Sequence, residues 1–190
     1  VARDKPITVT DTGTVAAADL NTVSANTTET VTATAATTIS GSAAEILAVV
    51  SDAGIATSAN YNTIVTGSIA VSDISTIDAD TGGTVTLNDV VDTLSAIQTY
   101  NGASSANATI LQNALGTITA NGGANPDTAD FSAVLKGMTI NGVGGNDAIT
   151  GTDFVDTISG GLGADALLGG AGADIFVFAT GDATTALVSS

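Results

Sequence analysis

The stretch "GGLGADALLGGAGADIFVF" (160–178) places Asp165 and Asp174 nine residues apart, each two positions before a large apolar residue, Leu167 or Phe176. Neither a generic core nor a glycine-rich linker requires that spacing. The period extends backwards through four gapless units: GVGGNDAIT (142–150), GTDFVDTIS (151–159), GGLGADALL (160–168) and GGAGADIFV (169–177). Their template is G-G-x-G-x-D-x-U-x, with U a large apolar residue. Units three and four match it fully. Unit one has Val143 at the second glycine position, and unit two has Thr152 and Phe154 where two glycines belong. Ile149, Ile158, Leu167 and Phe176 keep strict register, which predicts a three-residue strand in each unit with its central side chain facing inward. Glycines permit positive φ and close backbone approach in the turns between.

Composition narrows the chemistry. The chain has 190 residues, 44% of them hydrophobic but only 3% aromatic, and a formal net charge of −16. The small, even side chains suit stacked repeats. Only Arg3, Lys5 and Lys136 are positive, so nucleic acid and anionic membrane are poor partners. No stretch approaches the ~20 apolar residues of a membrane span. The absence of cysteine and histidine removes disulfides, thiolate sites and Ser-His or Cys-His catalysis. Any metal must accept oxygen ligands, which points to calcium or magnesium. The N-terminus "VARDKPITV" has neither Met nor a signal-peptide apolar run, so the chain reads as a fragment or processed piece.

An internal repeat occupies the first half. "TGTVAAADLNTVSANTTETVT" (12–32) aligns without gaps onto "TGSIAVSDISTIDADTGGTVT" (66–86), pairing Gly13 with Gly67, Asp19 with Asp73, Leu20 with Ile74, Val23 with Ile77 and Val31 with Val85. Each copy reads strand, short helix, strand. The tags TIS (38–40), TIVT (63–66), TVT (84–86), TIT (117–119) and TIN (139–141) look like successive rungs. Helices are predicted over 42–54, opened by a Ser42/Glu45 capping box, and over 88–102, 107–116 and 127–137, with Lys136 in the last turn. The predicted fold is mainly β with helices: an irregular α/β solenoid over roughly 7–140, followed by a glycine–aspartate segment. The predicted domains are 1–137, Thr/Ala-rich and carrying the duplication, and 138–190.

The four nonapeptides (142–177) resemble the RTX, or hemolysin-type calcium-binding, repeats of bacterial exoproteins. The resemblance covers 36 of the 190 residues. It implies a C-terminal calcium-binding parallel β-roll in which two nonapeptides complete a coil, so that units one and three stack, as do two and four. Calcium is then held between stacked turns by Asp147 with Asp165, and by Asp156 with Asp174. Backbone oxygens of the turns containing Gly142, Gly144, Gly145, Gly151, Gly160, Gly161, Gly163, Gly169, Gly170 and Gly172 complete the six to eight ligands. Asn146 either donates its carbonyl or solvates its turn. Asp153 either adds a carboxylate or stands in solvent. Phe154 sits where the family pattern wants a glycine at positive φ, so the second pair is the less regular. Segment 142–177 holds five aspartates and no Lys or Arg, so its folding is expected to depend on metal.

The resemblance further implies an extracellular or bacterial cell-surface location reached by type I secretion. "GDATTALVSS" is a shorter tail than such proteins usually carry, which leaves the secretion signal open. Three functions are compatible with these features. The preferred one is an extracellular calcium-dependent structural protein (surface-layer, sheath or surface-filament subunit), self-associating into a filament or lattice or contacting cell-surface neighbours. "PITVTDTGTV" (6–15) is then a candidate for pairing with a neighbour's open edge, or an ordinary first strand. The alternatives are a stalk or module of a large RTX adhesin, and the calcium-folding tail of a secreted enzyme. No catalytic set is present in the sequence, and the chain itself is not read as an enzyme. Tyr61 and Tyr100 read as packing residues, and Asp78 with Asp80 as a solvated pair.

Overall fold

The computed structural model describes residues 5–180, 182 and 185–187. It is a mixed α/β protein with parallel sheets and, among the described residues, no closed barrel. The chain divides into two compact units, 1–88 and 89–190; the composition change at 137/138 lies inside the second.

In chain order the first unit contains β1 (Ile7–Thr8), β2 (Thr14–Ala16), α1 (Ala17–Ser24), β3 (Val31–Ala33), β4 (Thr38–Ser42), α2 (Ala43–Ser51), β5 (Ile55–Thr57), β6 (Asn62–Thr66), β7 (Ser68–Ile69), α3 (Val71–Asp80) and β8 (Val85–Thr86). Most of its strands form two parallel sheets, β1-β3-β5 and β2-β4-β6-β8. Thr14 faces Thr38, Thr38 faces Asn62 and Val31 faces Ile55, each 24 residues on. The spatial period is therefore 24 residues, shortening to 22 between Thr63 and Val85, whereas the sequence duplication has an offset of 54. The duplication holds locally. Asp19 and Asp73 both lie in a first helical turn, and Leu20 and Ile74 are both buried. Asp19 does not cap: the residue before α1 is Ala16, with no side-chain cap. The match also ends at the strand after the helix, because Val31 joins the sheet of β1 and β5 while Val85 pairs beside β6.

Helix α2 starts as expected. Ser42 Oγ accepts the Glu45 N–H, and Glu45 Oε2 accepts the Ser42 N–H at 2.8 Å. That amide, with the Ser42 hydroxyl, holds the Glu45 carboxyl below the usual carboxylate range. Tyr61 is buried and donates its hydroxyl to Asp80 Oδ2 at 2.6 Å. Burial first, then that carboxylate, push its pKa far up, so the ring stays neutral. Asp80 accepts this bond while staying exposed, and Asp78 is half-buried, in keeping with a solvated pair.

The second unit runs β9 (Asp89–Thr93), α4 (Leu94–Ala103), α5 (Ser105–Gln112), β10 (Ile118–Asn121), β11 (Thr128–Asp130), β12 (Thr139–Asn141), β13 (Ala148–Thr150), β14 (Thr157–Ser159), β15 (Ala166–Leu168), β16 (Ile175–Val177) and β17 (Thr185–Leu187). Two expected helices differ. The first begins at Leu94, capped by Thr93 Oγ1 on the Ala96 N–H, and Asp89–Thr93 is a strand. Its Val-Val pair favours the extended backbone, and Val90 is buried there beside Ile118. The helix over 127–137 does not form: Thr128–Asp130 is a strand, and Phe131 and Val134 bury themselves in the turn that follows. Lys136 therefore ends no helix.

Strands β9, β10, β12, β14 and β16 lie side by side in parallel, as do β11, β13, β15 and β17. The offset between partners shortens as helices drop out. It is 28 residues from Val90 to Ile118, 20 from Ala120 to Ile140 or Ala129 to Ile149, and 18 from Ile140 to Ile158 or Ile149 to Leu167. Ile140, Ile149, Ile158 and Leu167 are buried in the core, as the nine-residue register predicts; Phe176 is only half-buried. No described helix is long and apolar enough to cross a membrane.

Candidate metal centre

Each nonapeptide aspartate immediately precedes its strand: Asp147 before β13, Asp156 before β14, Asp165 before β15 and Asp174 before β16. Parallel pairing at an offset of 18 therefore stacks them in two columns. In one, Asp165 Oδ1 accepts the Asp147 N–H at 2.9 Å. In the other, Asp174 Oδ1 accepts the Asp156 N–H at 3.0 Å. Both pairs expected from the sequence are brought together, and in both the later carboxylate reaches back to the earlier turn.

These are unusually buried acids. Asp147, Asp156 and Asp165 are 2%, 0% and 2% exposed, and Asp174 is half-buried. The glycines make that possible. The second carboxylate oxygen of each aspartate folds against the glycine five residues before it. A Cβ on Gly142 would stand 2.2 Å from Asp147 Oδ2 and 2.4 Å from the Gly160 carbonyl oxygen. On Gly160 it would meet Asp165 Oδ2 at 2.2 Å, and on Gly169 it would meet Asp174 Oδ2 at 2.1 Å. Gly145, Gly161, Gly163, Gly170 and Gly172 take positive φ in the turns, and Gly144 bridges to Leu162.

The two columns differ in how the carboxylates are satisfied. Asp156 is saturated by Met138 N–H at 2.7 Å, Thr152 N–H at 2.6 Å and the Thr152 hydroxyl at 3.1 Å. Asp147 Oδ1 accepts the Asp127 N–H at 2.8 Å, but its buried Oδ2 has no hydrogen-bond partner. Burial raises the carboxyl pKa of both Asp147 and Asp156. At Asp147 the Asp127 amide lowers it in part, and the charges of Asp165 and Asp127 raise it again. At Asp156 the Thr152 and Met138 amides offset part of the rise.

The degenerate second unit solves its turn differently from its neighbours. Thr152 and Phe154 avoid positive φ. The Thr152 hydroxyl accepts the Phe154 N–H at 3.0 Å and so shapes the bend. Asp153 is exposed, in keeping with a solvated loop residue. Asn146 Oδ1 accepts the Ala164 N–H at 2.9 Å and so ties the first turn to the third. The strained residue is Val143, at φ 78, the one described non-glycine residue with positive φ. It is 53% exposed, so little burial is lost on truncation. Val143→Gly is expected to stabilise the second unit by about 0.5–1 kcal/mol, the left-handed strain of a β-branched residue less the chain entropy of glycine. A higher urea midpoint with unchanged slope checks this.

Asp127 and Thr152 join the site without having been expected there from the sequence. Residues 122–130, GGANPDTAD, carry the nonapeptide pattern with Asn125 in place of a glycine and Ala129 at the apolar position. Gly123 N–H donates to Asp127 Oδ2 at 2.9 Å, and a Cβ on Gly122 would stand 2.3 Å from the Gly142 carbonyl oxygen. The signal is present but lies 20 residues, not 18, before unit one.

Among the described residues no three acidic side chains cluster as a ready-made metal site. What the turns offer is pairs of carboxylates at successive strands, beside main-chain carbonyls, with one carboxylate oxygen buried and unpaired. That all-oxygen set suits a hard divalent cation such as calcium. Comparison of the chain with protein-family models, with curated proteins and with solved structures finds no match.

Proposed function

We propose that this chain is an extracellular, calcium-dependent structural protein of the surface-layer, sheath or surface-filament kind. On this reading the parallel registers belong to an irregular α/β solenoid, and the glycine–aspartate segment is a calcium-binding parallel β-roll. The observation that carries it is the stacked Asp147/Asp165 pair, buried at 2% exposure each, with Asp147 Oδ2 lacking a partner. Two ionised carboxylates held this way in a dry turn are unfavourable without a counter-charge. Calcium supplies that charge and accepts the carbonyl oxygens the turns present. Asp147 and Asp165 are its side-chain ligands, and Asp174 with the saturated Asp156 forms the weaker pair. Extracellular modules bind calcium at about 10⁻⁴–10⁻³ M, an affinity that keeps such a segment open in calcium-poor cytosol and closed outside the cell.

Self-association is supported by β16, which ends its sheet among the described residues and exposes Ile175, Val177 and the following Phe178 at 55%, 44% and 56%. An apolar strand at a sheet edge is a template for another strand. Negative-stain microscopy of the purified protein in millimolar calcium tests the assembly. Filaments or sheets that disperse on chelation are expected. Monodisperse particles in calcium would overturn the filament reading and favour the adhesin stalk, in which the same metal-stiffened segment spaces a separate tip.

A further inference from the structure

We propose that one face of the second unit binds ice, a function additional to the structural one. The face is the outer side of the sheet formed by β9, β10, β12, β14 and β16, and it repeats in two directions. Successive side chains of a strand alternate between the two sides of its sheet, so the residues flanking buried Ala120, Ile140 and Ile158 turn outward. Parallel register lines them up from strand to strand. One rank reads Val91, Thr119, Thr139, Thr157 and Ile175. The other reads Thr93, Asn121, Asn141, Ser159 and Val177. Neighbours stand about 4.7–4.9 Å apart across the strands and about 6.6 Å apart along them.

Three features set these ranks apart from an ordinary polar surface. Every residue of the first is β-branched, which restricts χ1 and so fixes methyl and hydroxyl groups at the strand spacing. In the second, Asn141 Nδ2 donates to Asn121 Oδ1 at 2.8 Å, so the two amides hold one orientation. Neither rank contains a charged residue, in a chain of formal net charge −16. The other sheet of the unit does not repeat this way. There Thr128, Ala148 and Ala166 form one rank, and Asp130, Thr150 and Leu168 the other, so an acid and a long aliphatic chain interrupt the pattern.

The pattern selects the occupant. The middle of the face is Thr119, Thr139, Thr157, Asn121, Asn141 and Ser159, all half-buried and all polar, so it offers a protein partner no apolar patch. It has no aromatic ring on which a sugar could stack, and no cation for a phosphate or nucleic acid. Short hydroxyl, amide and methyl groups at fixed intervals match a ligand that is itself neutral, hydrogen-bonding and periodic. The water lattice of ice is such a ligand. Hydroxyls and amides serve it as donors and acceptors, and no charged group has to be stripped of its hydration. Many weak contacts made at once hold a crystal where a single one would not.

The test uses the full chain in millimolar calcium, so that β12–β16 are formed whether or not they need the ion. The readouts are thermal hysteresis of a seeded ice crystal and inclusion of the protein in slowly grown ice. The wild type is expected to show both. Thr139→Lys, in the middle of the face, is expected to lose both. Thr150→Lys, which changes an equally half-buried threonine on the other sheet, is expected to keep them. An unchanged Tm in each variant shows that the fold is kept, and Thr157→Lys, one strand along, gives the same test if Thr139→Lys does not fold. Folded wild type that shows no hysteresis and is excluded from ice overturns the proposal, as does an equal loss in the variants of the two sheets. Calcium binding is measured separately, so neither result bears on that reading.

Discussion

Chelating calcium is expected to release the strands β12–β16 while α2 and its neighbours in the first unit keep their exchange protection. The turns that precede those strands bury Asp147, Asp156 and Asp165 in a segment without a single Lys or Arg. Their main-chain donors satisfy part of that charge and leave Asp147 Oδ2 open. At 10 mM calcium and extracellular-type affinities, each ion contributes about 1.4–2.7 kcal/mol. For a unit of this size that raises Tm by on the order of 10 °C per ion. Magnesium, which demands near-ideal octahedral geometry, is expected to do much less.

The metal-free protein should also show an inverted pH dependence. The carboxyls of Asp147 and Asp156 lie above the ordinary aspartate value of 3.8, chiefly through burial. A folded-state pKa above the unfolded one means that the native state holds its protons more tightly. The associated stability is full below 3.8 and is lost as pH rises through the folded values. Without calcium the second unit should weaken from about pH 4 towards neutrality. With calcium bound, the ligands must be ionised, so the trend reverses and stability is lost on acidification. Thermal unfolding at about pH 4 and about pH 7, with and without calcium, reads the crossing directly. Parallel pH trends in the two conditions would contradict it.

Gly163→Ala is expected to cost about 3 kcal/mol or more. Gly163 holds φ +132, and a Cβ there would lie 1.6 Å from the Gly145 carbonyl oxygen. The obstacle is main chain, fixed by the Gly145 N–H to Leu162 carbonyl bond at 2.8 Å, so no rotamer change relieves it. Backbone strain of this kind costs about 1–3 kcal/mol, and the displaced turn adds an overpacking cost of about 1–3 kcal/mol. The same turn is one wall of the Asp147/Asp165 pair, so calcium affinity should fall with stability. Gly102→Ala is the control. It lies in α4 with nothing within 4 Å of the added carbon, and there alanine is expected to be neutral or to stabilise by up to about 1 kcal/mol. Equal losses in both variants would mean that the turn geometry is wrong.

The legible parts of this fold are those in which one residue type at one spacing has a single physical use. The Ser42/Glu45 box opens its helix, the Thr-Ile and Thr-Val tags become strands, and Ile149, Ile158 and Leu167 are buried at nine-residue intervals. Sequence and structure part where two patterns overlap. Val90, Leu94 and Ile97 fit a helical stripe, yet β-branched Val90 and Val91 enter a strand and the helix waits for Thr93 to cap it. Phe131 and Val134 look like a helical face but are buried from a turn. The 54-residue duplication is visible because it preserves β–α–β segments, while the 24-residue register is hidden because helices of unequal length sit between strands that pair. Of the candidate site, both aspartate pairs could be read. Asp127 could not, because Asn125 and a two-residue lengthening break the period. The Thr152 contacts that saturate Asp156 are tertiary and leave no mark in the spacing.

The most direct test of calcium between the turns is a long-wavelength anomalous difference map from crystals grown in millimolar calcium. Anomalous peaks are expected beside the carboxylates of Asp147 and Asp165, within coordination distance of main-chain carbonyl oxygens of the glycine turns. Crystals that diffract well but show no such peak, with those carboxylates bonded only to amides and water, would contradict calcium binding there.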